Sequence, residues 1–551
     1  MRKSIRWIVK AIWLFWVVAP AGAFQPVDTQ TTGQPLAPPE ALARLRVPEG
    51  FRVTLAAAEP DVRQPIALAY DGRGRVWVAE SYSYKGADFT DETHDRLVIF
   101  DDQDGDGVFE TRKVFYDRLN RLTGLTLGFG GVWVATAPTV QFIPDRDRND
   151  VPDGAPEVVL DGWTLSAEHN SVNGLFWGPD GWLYGRHGIK SPSRPGVPGT
   201  PEAQRPTVSC AIWRYHPVWR VFDVVAEGSV NPWGFDFDDR GQMFMSSSVV
   251  DHLWHVVPGA KFKRWLGRET QVYPHLYDLM DPANDHSHRE PDANGVFAGG
   301  HSHTAATIYL GDRWPEEYRG SLFMSNIHGR RINRDTLRVE DTPVGRAVAS
   351  HAPDFLVAND PWFRAVSFDY GPDGDVVMSD WSDFGECHDR DGVHRSSGRL
   401  YKITYGKPLK ITVDVDAASS AQLVAWQFHR NDWYVRQARR VLQERASQGE
   451  DMAEVHRQLL AEFEATRPVE RRLRSLWALY VTQGAHGGSK VCWTIRSLIF
   501  GIGRFVFLLI EGRCRESRPA DWWRVRKRRP RGGSDWLSLP RCQLLAMSDG
   551  L

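Results

Sequence analysis

The sequence predicts a mainly β protein: a six-bladed β-propeller over residues 46–408, followed by a short α-helical segment over residues 409–484. The first observation is a recurring unit of apolar strand, Gly/Asp turn and second apolar strand. It appears as IALAYDGRGRVWVAE from Ile66, LTLGFGGVWVATA from Leu125 and GLFWGPDGWLYGRHG from Gly174. It continues as GFDFDDRGQMFMSS from Gly234, GDRWPEEYRGSLFMSN from Gly311 and VSFDYGPDGDVVMSDW from Val366. Paired strands around Asp-Gly or Gly-Gly turns are the strongest short-range hairpin signal. Copies recurring every few tens of residues match radial repetition of blades, whereas a non-repeating sandwich is complete in about 100 residues. The second observation is composition: 23 Trp, 49 Gly and 34 Pro suit short strands and tight turns. The third is a change of period after Lys410. AQLVAWQFHRNDWYVRQARRVLQERA, EVHRQLLAEFEA and PVERRLRSLWALYVTQG carry apolar residues at i, i+3, i+4 and i+7 with charges between them, the pattern of successive short helices.

The 551 residues, 42% apolar and 25% charged with a formal charge of -2, suit a soluble globular chain of more than one domain. Nothing in that balance points to nucleic acid. At the start, Arg2, Lys3, Arg6 and Lys10 precede the apolar run from Ala11 to Val18, and Ala21-Gly22-Ala23 offers a small-x-small cleavage site. This predicts a secretory signal over residues 1–23, a Pro-rich lead-in over 24–45, and a periplasmic or extracellular address. A retained anchor helix would need about 20 apolar residues. Residues 485–551 carry 13 Lys+Arg against 5 Asp+Glu and three of the five cysteines, with no readable cap or period. The expectation there is a tail translated out of frame, which cuts the helical array off mid-repeat.

Two groups of residues have the makings of chemistry. In Asp102-Gln-Asp104-Gly-Asp106-Gly107-Val-Phe-Glu110, carboxylates fall at positions 1, 3, 5 and 9 with glycine at 6, so alternate side chains can converge on a hard cation. Position 12 is Lys113, so the loop departs from an EF-hand and is read as a calcium loop formed by Asp102, Asp104, Asp106 and Glu110. A second copy from Asp145 to Asp153 lacks the glycine and adds two arginines. The other group is histidine: fourteen of eighteen lie between His169 and His394, several beside turns. In a propeller, loops at one end of successive blades converge on the channel. His301 and His303 stand two apart, and DWSDFGECHDRDGVHR from Asp380 gathers carboxylates and histidines in one loop. Cys210 and Cys387 are permitted a bridge by an exported address.

From His169, HNSVNGLFWGPDGWLYGRHG resembles the blade of soluble quinoprotein glucose and sorbosone dehydrogenases in which a histidine precedes a GPDG turn. That resemblance implies a general base at His169, taking a hydroxyl proton as hydride passes to pyrroloquinoline quinone. His169 stands one residue further from the turn than that pattern expects. Asn231-Pro232-Trp233-Gly234 resembles the RNPxG motif that contacts the quinone, with Val230 where that family carries arginine. A cation that would help hold an anionic quinone is thus missing from that position. A longer similarity runs from Phe51 to Gln483 through FRVTLAAAEP, DQDGDG, NPWGFDFD, HLWHVVPGA, WPEEYRG, DPWFRAV, SDWSDFGECHDRDGVHR and HRNDWYVRQARRVLQERA. It resembles a family of membrane-bound dehydrogenases of planctomycetes and their relatives, which joins a signal peptide, a propeller, HEAT-type helices and usually a C-terminal c-type cytochrome.

The resemblance implies oxidation of a sugar or other alcohol with a quinone-type cofactor. Asn231, Arg186, His187, His303 and Arg330 would line the channel, calcium would sit at the Asp102 loop, and a c-type cytochrome would accept electrons, with membrane association left open. This sequence has no CxxCH motif, so haem is not carried over. The alternative is a non-catalytic propeller that binds a glycan or protein partner, with the helices as interaction surface. Val230 favours the alternative, and the density of histidines and carboxylates favours the enzyme.

Overall fold

Each repeating unit lies in the inner hairpin of one blade in a ring of six. The computed structural model describes residues 34–85, 88–89, 94–229, 231–248, 252–264, 302–339, 347–385, 394–465 and 467–483. The expected signal peptide and the basic tail lie outside these residues. Blades 1 to 6 have innermost strands Pro65–Tyr70, Leu122–Leu127, Val172–Trp177, Pro232–Phe237, His303–Ile308 and Ala365–Tyr370. Neighbouring innermost strands touch all the way round. The unit from Gly311 needs correction: it holds only the connection and the second strand, Ser321–Asn326, whereas the innermost strand begins eight residues earlier at His303.

Phe51–Ala58 pairs antiparallel with Arg399–Tyr405, so the start of the propeller supplies the outer strand of blade 6 and closes the ring. Among the described residues blade 4 has three strands. The segment that follows them, Lys261–Arg264, runs parallel to Val221–Ser229 at the outer edge of blade 3. Strands such as Val76–Glu80 and Leu253–Val256 are buried at every residue, because each blade is covered on both faces by its neighbours. This is why their sequences run apolar rather than alternating. The core is accordingly divided, with Trp133 and Trp213 in the cluster of blades 2 and 3, and Trp182 and Trp254 in that of blades 3 and 4.

The turns are fixed by their aspartates. Asp71 Oδ1 accepts the N–H groups of Arg73 and Arg75, and Asp238 Oδ1 accepts those of Arg240 and Gln242. An Asx side chain bonding its own backbone two residues on is what makes such turns tight. These turns lie at one end of the ring, the turn face, and helices α2 Ser420–Trp426, α3 Asp432–Ser447, α4 Ala453–Glu464 and α5 Val469–Val481 follow the propeller. Helix α1, Pro38–Arg44, precedes it. Helix α3 lies on the turn face: Gln437 donates to Tyr70 O and Gln443 to Gly181 O, and Asn431, which caps the helix, donates to Gly371 O. Glu444 accepts the N–H of Phe129. One helix thus touches the turns of blades 1, 2, 3 and 6. No helix among the described residues is long and apolar enough to cross a membrane.

Candidate functional site: the channel and the face where the inner strands begin

All six innermost strands carry a register break near their start, at Ile66, Thr123, Gly174, Trp233, Ala305-Ala306 and Val366. A bulged residue is pushed out of the ladder, and all of these residues line one central cavity. Five blades present a side chain at this level, and blade 3 presents glycine. Gly174 has φ +56°, and a Cβ there would collide with the guanidinium of Arg186. Arg186, on the second strand of blade 3, therefore occupies the gap and lines the cavity. Its Nε donates to Asn173 Oδ1 at 2.9 Å. Burial lowers its pKa to about 9, and no carboxylate among the described residues opposes that effect. A half-buried guanidinium with no carboxylate against it among the described residues is costly, so this position sets the chemistry of the channel.

Arg436 of α3 lines the turn-face end of the cavity. It reaches Asp236 Oδ1 at 3.0 Å and Asp432 Oδ2 at 2.6 Å, and its guanidinium lies over Phe176 and Tyr370. Asp236 Oδ2 also accepts the N–H of Ile308, which links blade 4 to blade 5. Asp369 stands beside this group, and burial, opposed by Arg436, pushes its carboxyl up to about 7. The two ends of the channel thus differ. The turn-face end holds a paired cation and acids, and the other end a cation with no acid against it among the described residues.

The residues expected to form a site gather on that other face. His169 lies in the 3-10 turn Leu165–Asn170, whose end adjoins the strand carrying Arg186 through Gly188 N–H to Asn170 O at 2.9 Å. The His169 side chain, Val230, His301 and residues 386–393 lie outside the described residues. Asn231, at φ +46°, accepts the N–H of Ile189 through Oδ1 at 2.8 Å, so its amide holds the turn after Arg186-His187. His187 is fully buried, with Nε2 3.1 Å from Ser191 O and Ser193 Oγ, and burial lowers its pKa to about 4. Arg186 is on the cavity wall, and His187 is not. Successive residues of a strand point to opposite faces of the sheet, so only one of the two can take the Gly174 gap. Arg330, at φ +53°, donates from Nε to Pro361 O at 3.3 Å, in the turn between the second and third strands of blade 5.

His303 opens the innermost strand of blade 5 and belongs to a cluster that sequence reasoning saw only in part. Its ring centroid is 4.9 Å from that of His252. His252 Nε2 lies 3.2 Å from Asp335 Oδ2, and His351 Nδ1 lies 2.9 Å from Asp335 Oδ1. Asp335 is completely buried. Neither Asp335 nor His351 carries a motif, and the one available signal was an acid within an otherwise ordinary strand, RINRDTLRV. Cys210 is buried at φ +53°, with Sγ 3.6 Å from Ser229 Oγ, and Cys387 lies outside the described residues.

Carboxylate oxygens of Asp102, Asp104, Asp106 and Glu110 all come within 4.8 Å of one another, away from the channel, in the turn between the third and fourth strands of blade 1. Asp102 accepts the N–H groups of Gly105 and Gly107, and Lys402 Nζ stands 3.0 Å from its Oδ2. The four carboxylates Asp102, Asp104, Asp106 and Glu110 suit a hard cation, and Lys402, shared between Asp102 at 3.0 Å and Asp373 at 2.8 Å, stands beside them. In the second copy, Asp150 is engaged by both terminal nitrogens of Arg75 at 2.8 Å.

A family model described as a domain of unknown function (DUF7133) matches residues 37–405. No curated protein matches the chain. Among solved structures, a Thermus thermophilus oxidoreductase described as a glucose dehydrogenase is 19% identical, with a TM-score of 0.42, over 64% of this chain and 99% of its own. The PQQ-bound aldose sugar dehydrogenase of Streptomyces coelicolor is 18% identical, with a TM-score of 0.41, over 65% and 99%. The PQQ domain of Coprinopsis cinerea pyranose dehydrogenase is 12% identical, with a TM-score of 0.41, over 65% and 97%. Likenesses of this degree carry no argument about activity.

Proposed function

The chain belongs to the DUF7133 family, and we propose that this member is an exported oxidoreductase that oxidises a sugar or other alcohol with an anionic quinone-type cofactor. The observation that carries the reading is the concentration of chemistry at one end of the channel. Arg186, the His303–His252–Asp335 cluster and the segment bearing His169 share the face opposite α3. Pyrroloquinoline quinone, a carboxylate-bearing group, fits a channel whose one cation without a carboxylate partner among the described lining residues is Arg186. When bound, it supplies the acceptor for two electrons and a proton.

The chain's own residues do the rest. Arg186 offers a bidentate fork to a carboxylate, and Asn231 holds the turn after it in place. His169 takes the hydroxyl proton, which requires a pKa near the working pH. Buried, neutral His187 serves packing. Calcium at Asp102, Asp104, Asp106 and Glu110 acts on stability, since that loop is away from the channel. A c-type cytochrome is the proposed electron acceptor, and membrane association is proposed to run through that partner.

The test is to add pyrroloquinoline quinone and calcium to the purified chain and to follow quinone absorbance and sugar-dependent dye reduction. Turnover is expected, and His169→Ala lowers kcat by about 100-fold or more. No quinone binding and no turnover across a sugar panel removes the oxidoreductase, and turnover unchanged in His169→Ala removes the assigned base. Val230 at the position where related motifs carry arginine favours a second reading, a propeller that binds a glycan without turning it over. Sugar binding with no electron transfer would select it.

A further inference from the structure

The Gly174 gap has a consequence that does not depend on the identity of the cofactor. In five blades the bulged residue at the channel wall keeps its own side chain there. In blade 3 the missing Cβ admits a guanidinium from the second strand, and at no other blade is the bulged position a glycine. We propose that the channel is a receptor for a carboxylate group, bound by Arg186 and delivered from the face where the inner strands begin.

Three observations support this. Among the described residues Arg186 makes one side-chain hydrogen bond, from Nε to Asn173, so its two terminal nitrogens remain for a ligand. It forms no ion pair among them, whereas Arg436 at the far end of the same cavity has Asp236 and Asp432. Ile66, Leu125, Leu175 and Phe235 give the cavity apolar wall beside the polar Thr123, Thr307 and Ser367, and a charge-assisted pair is stronger inside such a cavity than in open water. Direction follows from the plug. Arg436 bridges the turn-face end, and Asp236 and Asp369 there repel an anion once ionised, so the carboxylate reaches Arg186 from the opposite face. A planar fork meeting a planar oxyanion selects a carboxylate over a spherical ion.

The carboxylate could belong to a quinone cofactor or to an acidic sugar, and the experiment separates the two. The full chain is heated with malonate, with malonamide as its uncharged isostere, and separately with pyrroloquinoline quinone. Malonate and the quinone are expected to raise the Tm of the wild type, and malonamide to leave it unchanged. Arg186→Gln is expected to abolish the malonate shift and weaken quinone binding at least tenfold. Its Tm without ligand should equal or exceed that of the wild type, because a half-buried charge with no ion pair among the described residues has been removed. Arg186→Lys, which keeps the charge but not the fork, should retain part of the response, and it decides the matter if the Gln variant does not fold.

An equal anion response in Arg186→Gln and wild type overturns the proposal, as does the absence of any response in the wild type. The inference uses the channel of the oxidoreductase reading, but the two fail separately. Malonate protection that depends on Arg186 without quinone binding leaves the receptor and removes the quinone. Quinone turnover indifferent to Arg186→Gln does the reverse.

Discussion

Asp369 shows how a single residue reports the state of the channel. Its carboxyl, half-buried at the cavity wall, is pushed up to about 7 by desolvation, against the pull of Arg436. Because the folded pKa lies above the ordinary value of about 3.9, the folded state holds the proton more firmly. The resulting stability is fully present below about pH 4 and is lost as pH rises through 7. Asp369→Asn removes that decline. Urea unfolding at pH 5 and pH 8 should show the variant gaining on the wild type as pH rises. The ceiling on that gain is roughly 3 kcal/mol, because only the two pH units between 5 and the folded value of about 7 contribute, at about 1.4 kcal/mol each. An unchanged difference between the two proteins at both pH values would refute the assignment. The same residue scale limits what the sequence can say. Arg186-His187 is conspicuous as a pair, yet its two members part ways because Gly174, twelve residues upstream of Arg186, lacks a Cβ. Asp335 is buried between two histidines from different strands, a fact that only the pairing of Arg331–Val339 with Ala347–His351 and its approach to His252 creates.

At the scale of elements, the turns were legible and their neighbours were not. GPDG, DGRG and DDRG announce hairpins because each aspartate bonds its own backbone, an entirely local effect. The hairpin of blade 5 was misplaced because its connection from Tyr309 to Gly320 is long and rich in turn residues. The periodicity of α3 is plain too, but nothing local in the sequence says which of its arginines reach the propeller. In the structure Arg436 is drawn into the propeller by Asp236, and Arg440 is held by Asp416 and Glu444. Helix α3 is therefore anchored by charge as well as by Trp433 and Leu442. Arg436→Met removes one partner from each of two buried carboxylates, which costs about 3–5 kcal/mol when a buried pair is broken. Guanidinium unfolding should register that loss, and hydrogen exchange should show α3 amides opening first. A change below about 0.5 kcal/mol, the size of an ordinary surface substitution, would mean that the helix is held by its apolar face alone.

The whole molecule is held closed by a strand drawn from its own beginning. Phe51–Ala58 is separated from its partner Arg399–Tyr405 by the entire ring, so closing blade 6 carries the entropy of a very long loop. What offsets it is visible at Phe51. Its ring centroid lies 5.0 Å from those of Trp314, Tyr318, Phe355 and Tyr405, each in an edge-on arrangement. Trp314, Tyr318 and Phe355 belong to blade 5 and its connections, and Tyr405 ends the third strand of blade 6, so one side chain joins the closing strand to both. Removing this hub should weaken the ring as a unit rather than one blade. Phe51→Ala is expected to lose about 3 kcal/mol, in the range for truncating a large aromatic among packed neighbours. Far-UV circular dichroism and tryptophan fluorescence should still trace one coincident transition, since six sheets that share their faces have no independent core. Two separated transitions, with the Trp314 signal lost first, would show instead that blade 6 opens alone and that closure contributes little to the remaining five.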